Sequence, residues 1–179
     1  MADFGSAKKR LFFALWPDDE VRKLVVTDTE RAIRAAGANP VSPFNYHVTL
    51  AFLGAVSASS LNDIVRVCSD IRFRRFLLQL DRTGYWPRSR IAWLGPSHCP
   101  LELEALVDDI WNKLTDLGFR QELRPYKPHI SLCRDVSGGF GMRLDRPIVW
   151  PVSSFILAQS IPGETGPVYT VLEQFAAGD

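Results

Sequence analysis

The sequence predicts an α+β protein built from two related halves, and three observations carry that prediction. Short apolar runs of strand length alternate with segments of helical periodicity. The order strand, helix, proline-marked loop, strand occurs twice. The closing strand of each half holds the same phrase: His47-Val48-Thr49-Leu50 in "YHVTLAFLG" (46–54) and His129-Ile130-Ser131-Leu132 in "PHISLCRD" (128–135). Only three histidines occur in 179 residues, so two of the three are committed to this phrase.

The elements follow in order. "RLFFALW" (10–16) is apolar and aromatic and stops at Pro17, which reads as a buried strand. From Asp18 the pattern turns helical: Val21, Leu24, Val25 and Ile33 recur near helical spacing, acidic residues fill the first turn, and Gly37 ends the run. After the turn-forming "ANPVSPFN" comes the first His-strand, closed by Gly54. A helix is expected over 58–71 with Ser59 or Ser60 as cap, then a strand over 76–86. The second half opens with the strand "RIAWLGP" (90–96). The clearest helix covers 99–119, with Leu103, Leu106, Val107, Ile110, Leu114 and Leu117 on one face and Gly118 as its stop. Pro125 and Pro128 precede the second His-strand, and 152–160 and 167–175 read as two further strands.

Spacing supports a duplication. Arg10 to His47 is 37 positions and Arg90 to His129 is 39, and each histidine has a proline four residues before it, Pro43 and Pro125. The whole chain, 1–179, is read as one domain with motif-bearing halves at about 10–54 and 90–135. A solenoid would show shorter repeats.

Composition narrows the function. A net charge of +1 argues against a broad polyanion-binding surface and leaves room for a local basic pocket. Cys68, Cys99 and Cys133 are odd in number and form no CxxC, which fits a reducing compartment and neither a disulfide framework nor a zinc site. The first twenty residues reach Pro17, Asp18 and Asp19 too soon for a leader or a membrane span, so the expected location is the cytoplasm, and a small chain without an evident interface motif is expected to be a monomer. "SGGFG" (137–141) lacks the GKS/T of a P-loop and reads as a loop.

In a strand, alternate side chains share a face, so His47 lies with Thr49 and His129 with Ser131, each pair backed by two apolar residues. Two imidazoles and two hydroxyls around one groove suit displacement at phosphorus without a metal. One ring accepts a proton from the nucleophile, the other gives one to the leaving oxygen, and the hydroxyls hold the phosphate. The residues do not say which ring takes which role. Zinc binding is the competing reading, but neither phrase has a cysteine or carboxylate at ligand spacing. His98, in "PSHCP", reads as a solvated loop residue. Arg134 could pair with a phosphate oxygen, although strict alternation from His129 aims it away unless the strand ends or bulges near Cys133. Arg88 and Arg90 in "YWPRSR" sit beside aromatics, as a phosphate contact next to a stacking surface would. Phe12, Phe13, Trp16 and Trp93 read as core, with Phe13 also a candidate to stack on a base. Tyr126 and Tyr169 are further candidates for substrate contact.

Taken together, "RLFFAL", "HVTLAFLG", the W-x-RSR-x-x-WLG pattern and "KPHISLCRD" resemble the two-histidine phosphoesterase superfamily, and within it the bacterial RNA 2′,3′-cyclic phosphodiesterase (2′-5′ RNA ligase) family, from about Arg10 to Phe175. The resemblance implies a bilobal fold of two mainly antiparallel sheets with outer helices around a central groove. It implies hydrolysis of a terminal 2′,3′-cyclic phosphate to a 2′-phosphomonoester on RNA ends or nucleotides, without cofactor or metal. Carried over residue by residue, it makes His47 the proton donor, His129 the proton acceptor, and Thr49, Ser131 and Arg134 the phosphate contacts. The serine at position 131 stands where the family more often has threonine. Two alternatives stay open at this point: a non-catalytic RNA- or nucleotide-binding module, and reversible 2′-5′ RNA joining.

Overall fold

A computed structural model describes residues 8–138, 140–164 and 166–178. The first seven residues, where the expected absence of a leader begins, and position 139 within "SGGFG" lie outside the described residues. Strand β1 (Lys9–Leu15) leads into helix α1 (Asp19–Ala35), the two-residue β2 (Asn39–Pro40) and β3 (Val48–Val56). Helix α2 (Ala58–Cys68), β4 (Phe76–Trp86), β5 (Ile91–Gly95), α3 (Leu101–Asp116) and β6 (Ile130–Arg134) follow. Three long strands close the chain: β7 (Arg143–Val152), β8 (Ser154–Gly163) and β9 (Gly166–Ala176).

The strands form two sheets, β3-β1-β8-β9 and β2-β6-β5-β4-β7, with every ladder antiparallel. The expected α+β architecture of two antiparallel sheets is therefore present. Each sheet runs from its His-strand through the same succession of neighbours: β3-β1-β8-β9 matches β6-β5-β4-β7, and β2 is added beyond β6. The two helices of the duplicated halves are exchanged. Helix α1 follows β1 of the first sheet but packs on β6 and β7 of the second, while α3 follows β5 of the second sheet and packs on β3 of the first. This exchange gives the two sheets one continuous core, in which Leu11, Phe13 and Val48 join Leu78, Leu80, Ala92 and Ile130.

Local chemistry explains most boundaries. The Asp18 carboxylate accepts the Val21 amide at 2.8 Å and caps α1, a bond worth about 1 kcal/mol. Gly37 and Gly118, at φ 56° and 86°, take the left-handed conformation just beyond α1 and α3, where a Cβ would be penalised. Three expectations need correction. The cap of α2 is Ser57, whose hydroxyl bonds those of Ser59 and Ser60 instead of a backbone amide. Strand β3 does not end at Gly54 but continues to Val56. The strand expected over 152–160 begins at Ser154, and Val152 belongs to β7, an element not anticipated. Pro147 and Pro151 disguise β7, and its place at the edge of the sheet is where a strand tolerates prolines. Among the described residues no helix is long and apolar enough to cross a membrane.

Candidate active site

Each catalytic candidate stands one residue ahead of its strand, and each is held the same way. His47 Nδ1 lies 2.7 Å from the carbonyl of Asn45, and His129 Nδ1 lies 2.8 Å from that of Lys127. A carbonyl can only accept, so both rings carry their proton on Nδ1 and leave Nε2 for other work. His47 Nε2 is 3.1 Å from Thr49 Oγ1, which places imidazole and hydroxyl on one face as the phrase implies. Ser131 makes no such bond to His129 among the described residues. The backing residues Val48, Leu50, Ile130 and Leu132 are buried, at 0 to 3% exposure.

Both His-strands bulge at the same position. Thr49 faces Ala14 and Ala51 faces Phe13, so Leu50 has no partner across the ladder. Ser131 faces Trp93 and Cys133 faces Ala92, so Leu132 has none either. A bulge turns two successive residues to one side and resets the alternation. Leu50 and Ala51 are buried together, as are Leu132 and Cys133. Phe52 and Arg134 then emerge on the face of the hydroxyls. This is the irregularity that Arg134 requires, and its charge reaches the groove: it bears on both His47 and Tyr169.

The electrostatics of the two rings differ. His47 is pushed down to about 4, first by burial, which outweighs the opposing effect of its bond to Asn45, and then by the lesser effects of the His129 and Arg134 charges. Three aromatic rings enclose it: Phe12 at 5.0 Å, Tyr169 at 5.1 Å edge-on, and Trp16 stacked at 5.8 Å. His129 is lowered too, first by burial and also by Arg124. Its aromatic contact is the edge of Trp86 at 4.4 Å. Each ring thus responds to burial most, and His47 also responds to the other histidine, which places the two within electrostatic reach across one groove.

Other candidates fare unequally. Phe13 is a correction: it is wholly buried against Phe155 and Phe175 and cannot meet a base. Its neighbour Phe12 points the other way, onto His47 and Tyr169, because the register places Phe12 and Ala14 on the face of Thr49. The core reading holds for Phe12, which is buried in a second cluster with Ala14, Ile156 and Ala158, whereas Trp16, which flanks that cluster with Tyr169, and Trp93 are only half-buried. The Tyr126 hydroxyl donates to the Thr49 carbonyl at 3.1 Å, so it ties the segment before His129 to the first His-strand. Burial raises that hydroxyl above the usual tyrosine range, which suits a fixed donor. Arg88 is exposed in the turn at 87–90 and makes no hydrogen bond or ion pair among the described residues, whereas Arg90 donates to the Asp135 carbonyl at 3.0 Å. His98 is exposed. No group of three or more His, Cys, Asp or Glu suited to a metal ion occurs among the described residues. The aromatic enclosure of His47 and the contact of Trp86 with His129 were not legible, because they depend on register across strands distant in sequence.

Comparison with known proteins places this geometry. An RNA 2′,3′-cyclic phosphodiesterase of Escherichia coli is 37% identical over 132 residues, 74% of this chain and 75% of that protein. The sequence model described as LigT like Phosphoesterase matches residues 15–93. The chain belongs to the LigT-like phosphoesterase family. A family member from Archaeoglobus fulgidus with the same name is 31% identical over 183 residues, covering 93% of this chain and 99% of that one. Among solved structures, E. coli LigT in its apo form superposes with a TM-score of 0.89 at 32% identity, over 97% of this chain and 100% of that chain. The same protein complexed with 3′-AMP also gives 0.89 at 32% identity, over 96% and 99%.

Proposed function

We infer that this chain is a phosphodiesterase that opens a 2′,3′-cyclic phosphate at an RNA end, or on a nucleotide, to the 2′-phosphomonoester. The observation that carries this reading is the matched pair of histidines, each fixed through Nδ1 to the carbonyl two residues back. Both rings then carry a fixed Nδ1–H, with Nε2 the atom that can give or take a proton at the phosphate. His129 accepts a proton from water as the water oxygen bonds to phosphorus. His47 gives its proton to the 3′ oxygen as the P–O3′ bond breaks. Thr49 and Ser131 bond the non-bridging oxygens, and Arg134 pairs with the charge that accumulates on them. No metal or cofactor is part of the proposal. Its working form is a monomer, since both histidines and both hydroxyls come from one chain, and its place is the cytoplasm, in keeping with three free cysteines.

The test is turnover of a short RNA ending in a 2′,3′-cyclic phosphate, with EDTA present, by the wild type, His47→Ala and His129→Ala. Loss of turnover in both variants, with a 2′-phosphate as the wild-type product, is expected. A folded wild type that binds this RNA and leaves it intact would reduce the groove to a binding site.

A further inference from the structure

The second sheet carries an aromatic strip that the chemistry at phosphorus does not use. It starts at His129, whose ring meets Trp86 at 4.4 Å. Trp86 meets Trp93 at 5.4 Å, and the guanidinium of Arg82 lies over the Trp93 ring at 5.5 Å. Register places all of them on the groove side: Trp93 faces Ser131 on one flank and Gly84 on the other, and Gly84 shares its strand face with Arg82 and Trp86.

The strip is built as a platform. The Trp93 indole lies down on Gly84, where an added Cβ would come within 2.2 Å of the ring. A Cβ on Gly95 would come within 3.3 Å of the same ring and 2.7 Å of the Pro128 carbonyl. Two bare backbone positions therefore hold one half-buried indole flat beside a catalytic hydroxyl. The equivalent position in the first sheet, facing Thr49, is Ala14, so the platform is no by-product of the duplication. Trp93 Nε1 is shielded from solvent and has no hydrogen-bond partner among the described residues, an unsatisfied donor that calls for an explanation. Arg82 is exposed and makes no ion pair or hydrogen bond among the described residues. An aromatic face beside a cation that has no anionic partner is how proteins hold single-stranded nucleic acid, since every base can stack and every linkage carries a negative charge. The net charge of +1 limits the contact to a short stretch of chain.

We propose that Trp86, Trp93 and Arg82 form a subsite for the nucleotide adjoining the cyclic end, so that the preferred substrate is an oligonucleotide and not a cyclic mononucleotide. This rests on the reading of the groove as a cyclic phosphodiesterase. Trp93 and Trp86 supply the stacking faces and Arg82 the phosphate contact.

The experiment compares kcat/KM for a tetranucleotide ending in a 2′,3′-cyclic phosphate with that for the corresponding cyclic mononucleotide. The wild type is expected to favour the tetranucleotide. Trp93→Ala is expected to cut that preference about 5- to 150-fold, the range for loss of one stacked base. Should Trp93→Ala fail to fold, Trp93→Phe, which keeps a ring, is expected to retain most of the preference. Arg82→Gln, at an exposed position, is expected to reduce it and to make the log–log salt dependence for the tetranucleotide shallower by about 0.7. Equal turnover of both substrates by the wild type, a preference unchanged in a folded Trp93→Ala, or a preference and salt dependence unchanged in Arg82→Gln, overturns the subsite while leaving the phosphodiesterase standing. Absence of turnover with either substrate overturns the phosphodiesterase reading itself.

Discussion

His47 gives the structure its sharpest thermodynamic prediction. In the unfolded chain an imidazole titrates near 6.5, whereas in the fold burial among Phe12, Trp16 and Tyr169, with Arg134 and His129 nearby, pushes it down to about 4. The ring is therefore neutral in the fold over a range where the unfolded chain is protonated. Its contribution to stability is fully present above about pH 6.5 and is lost as pH falls toward 4. At pH 5 linkage gives a loss of about 2 kcal/mol relative to pH 8, because the unfolded ring is largely protonated there while the folded ring stays largely neutral. Other groups titrate in the same window, so the comparison must be a double difference. Urea melts of the wild type and His47→Asn at pH 8 and pH 5 supply it. The asparagine amide can keep the bond to the Asn45 carbonyl but cannot take up a proton. The wild type is expected to lose about 2 kcal/mol more than the variant between the two pH values, which is about 4–8 °C in Tm for a chain of this size. Equal losses would mean that His47 titrates normally, and that the aromatic enclosure leaves it open to water.

Three further outcomes follow from the same geometry. The kcat/KM profile is expected to be bell-shaped with its maximum on the acid side of 6.5, because both free-enzyme rings are lowered; the kcat profile should lie at higher pH, since bound phosphate stabilises the charged forms. A pH-independent kcat/KM between 4 and 8 would refute the two-ring mechanism. Arg134→Gln is expected to raise KM for the cyclic phosphate and to move the acidic limb upward, because the charge that lowers His47 is gone; an unmoved limb would take Arg134 out of the groove. Gly84→Ala is expected to cost about 1–3 kcal/mol in urea melts through overpacking, as its methyl group would stand 2.2 Å from the Trp93 ring; wild-type stability would mean the indole does not lie there.

The sequence was most informative where a residue's role depends on near neighbours. Asp18, Gly37 and Gly118 bound their helices by local backbone chemistry, and the α3 face from Leu103 to Leu114 is buried as its period requires. The pairing of His47 with Thr49 needs only two residues of one strand, and it was legible for that reason. Phe13 shows the limit. Phe12 and Phe13 are equally aromatic, and the choice between them depends on which faces Thr49's side of a ladder 37 residues away. No local pattern holds that information. The strand β7 failed differently: Pro147 and Pro151 argue against a central strand, and only the sheet order shows that they sit at an edge. Tyr169 and Trp86 reach the histidines from strands whose register is equally remote.

The divergence of the two half-sites bears on which ring does what. A duplicated phrase would by itself supply two equivalent histidines, and two equivalent rings cannot settle who gives the proton. The surroundings break the tie. His47 has three aromatic neighbours and a nearby guanidinium, while the aromatic partner of His129 is the edge of Trp86. Each added apolar wall disfavours the charged ring. A ring that resists protonation is the stronger acid once it holds a proton, and a ring less depressed is the stronger base while neutral. On that ground the proposed assignment, His47 as donor to the departing 3′ oxygen and His129 as acceptor from water, uses each ring for the step its environment favours. The cost is that the doubly correct state is scarce in the free protein at neutral pH. The phosphate offsets it, because a negative charge brought between the rings draws a proton onto the one that otherwise refuses it. In this arrangement the substrate completes the charge balance of its own site, and the proton on His47 arrives with the group it is needed to cleave.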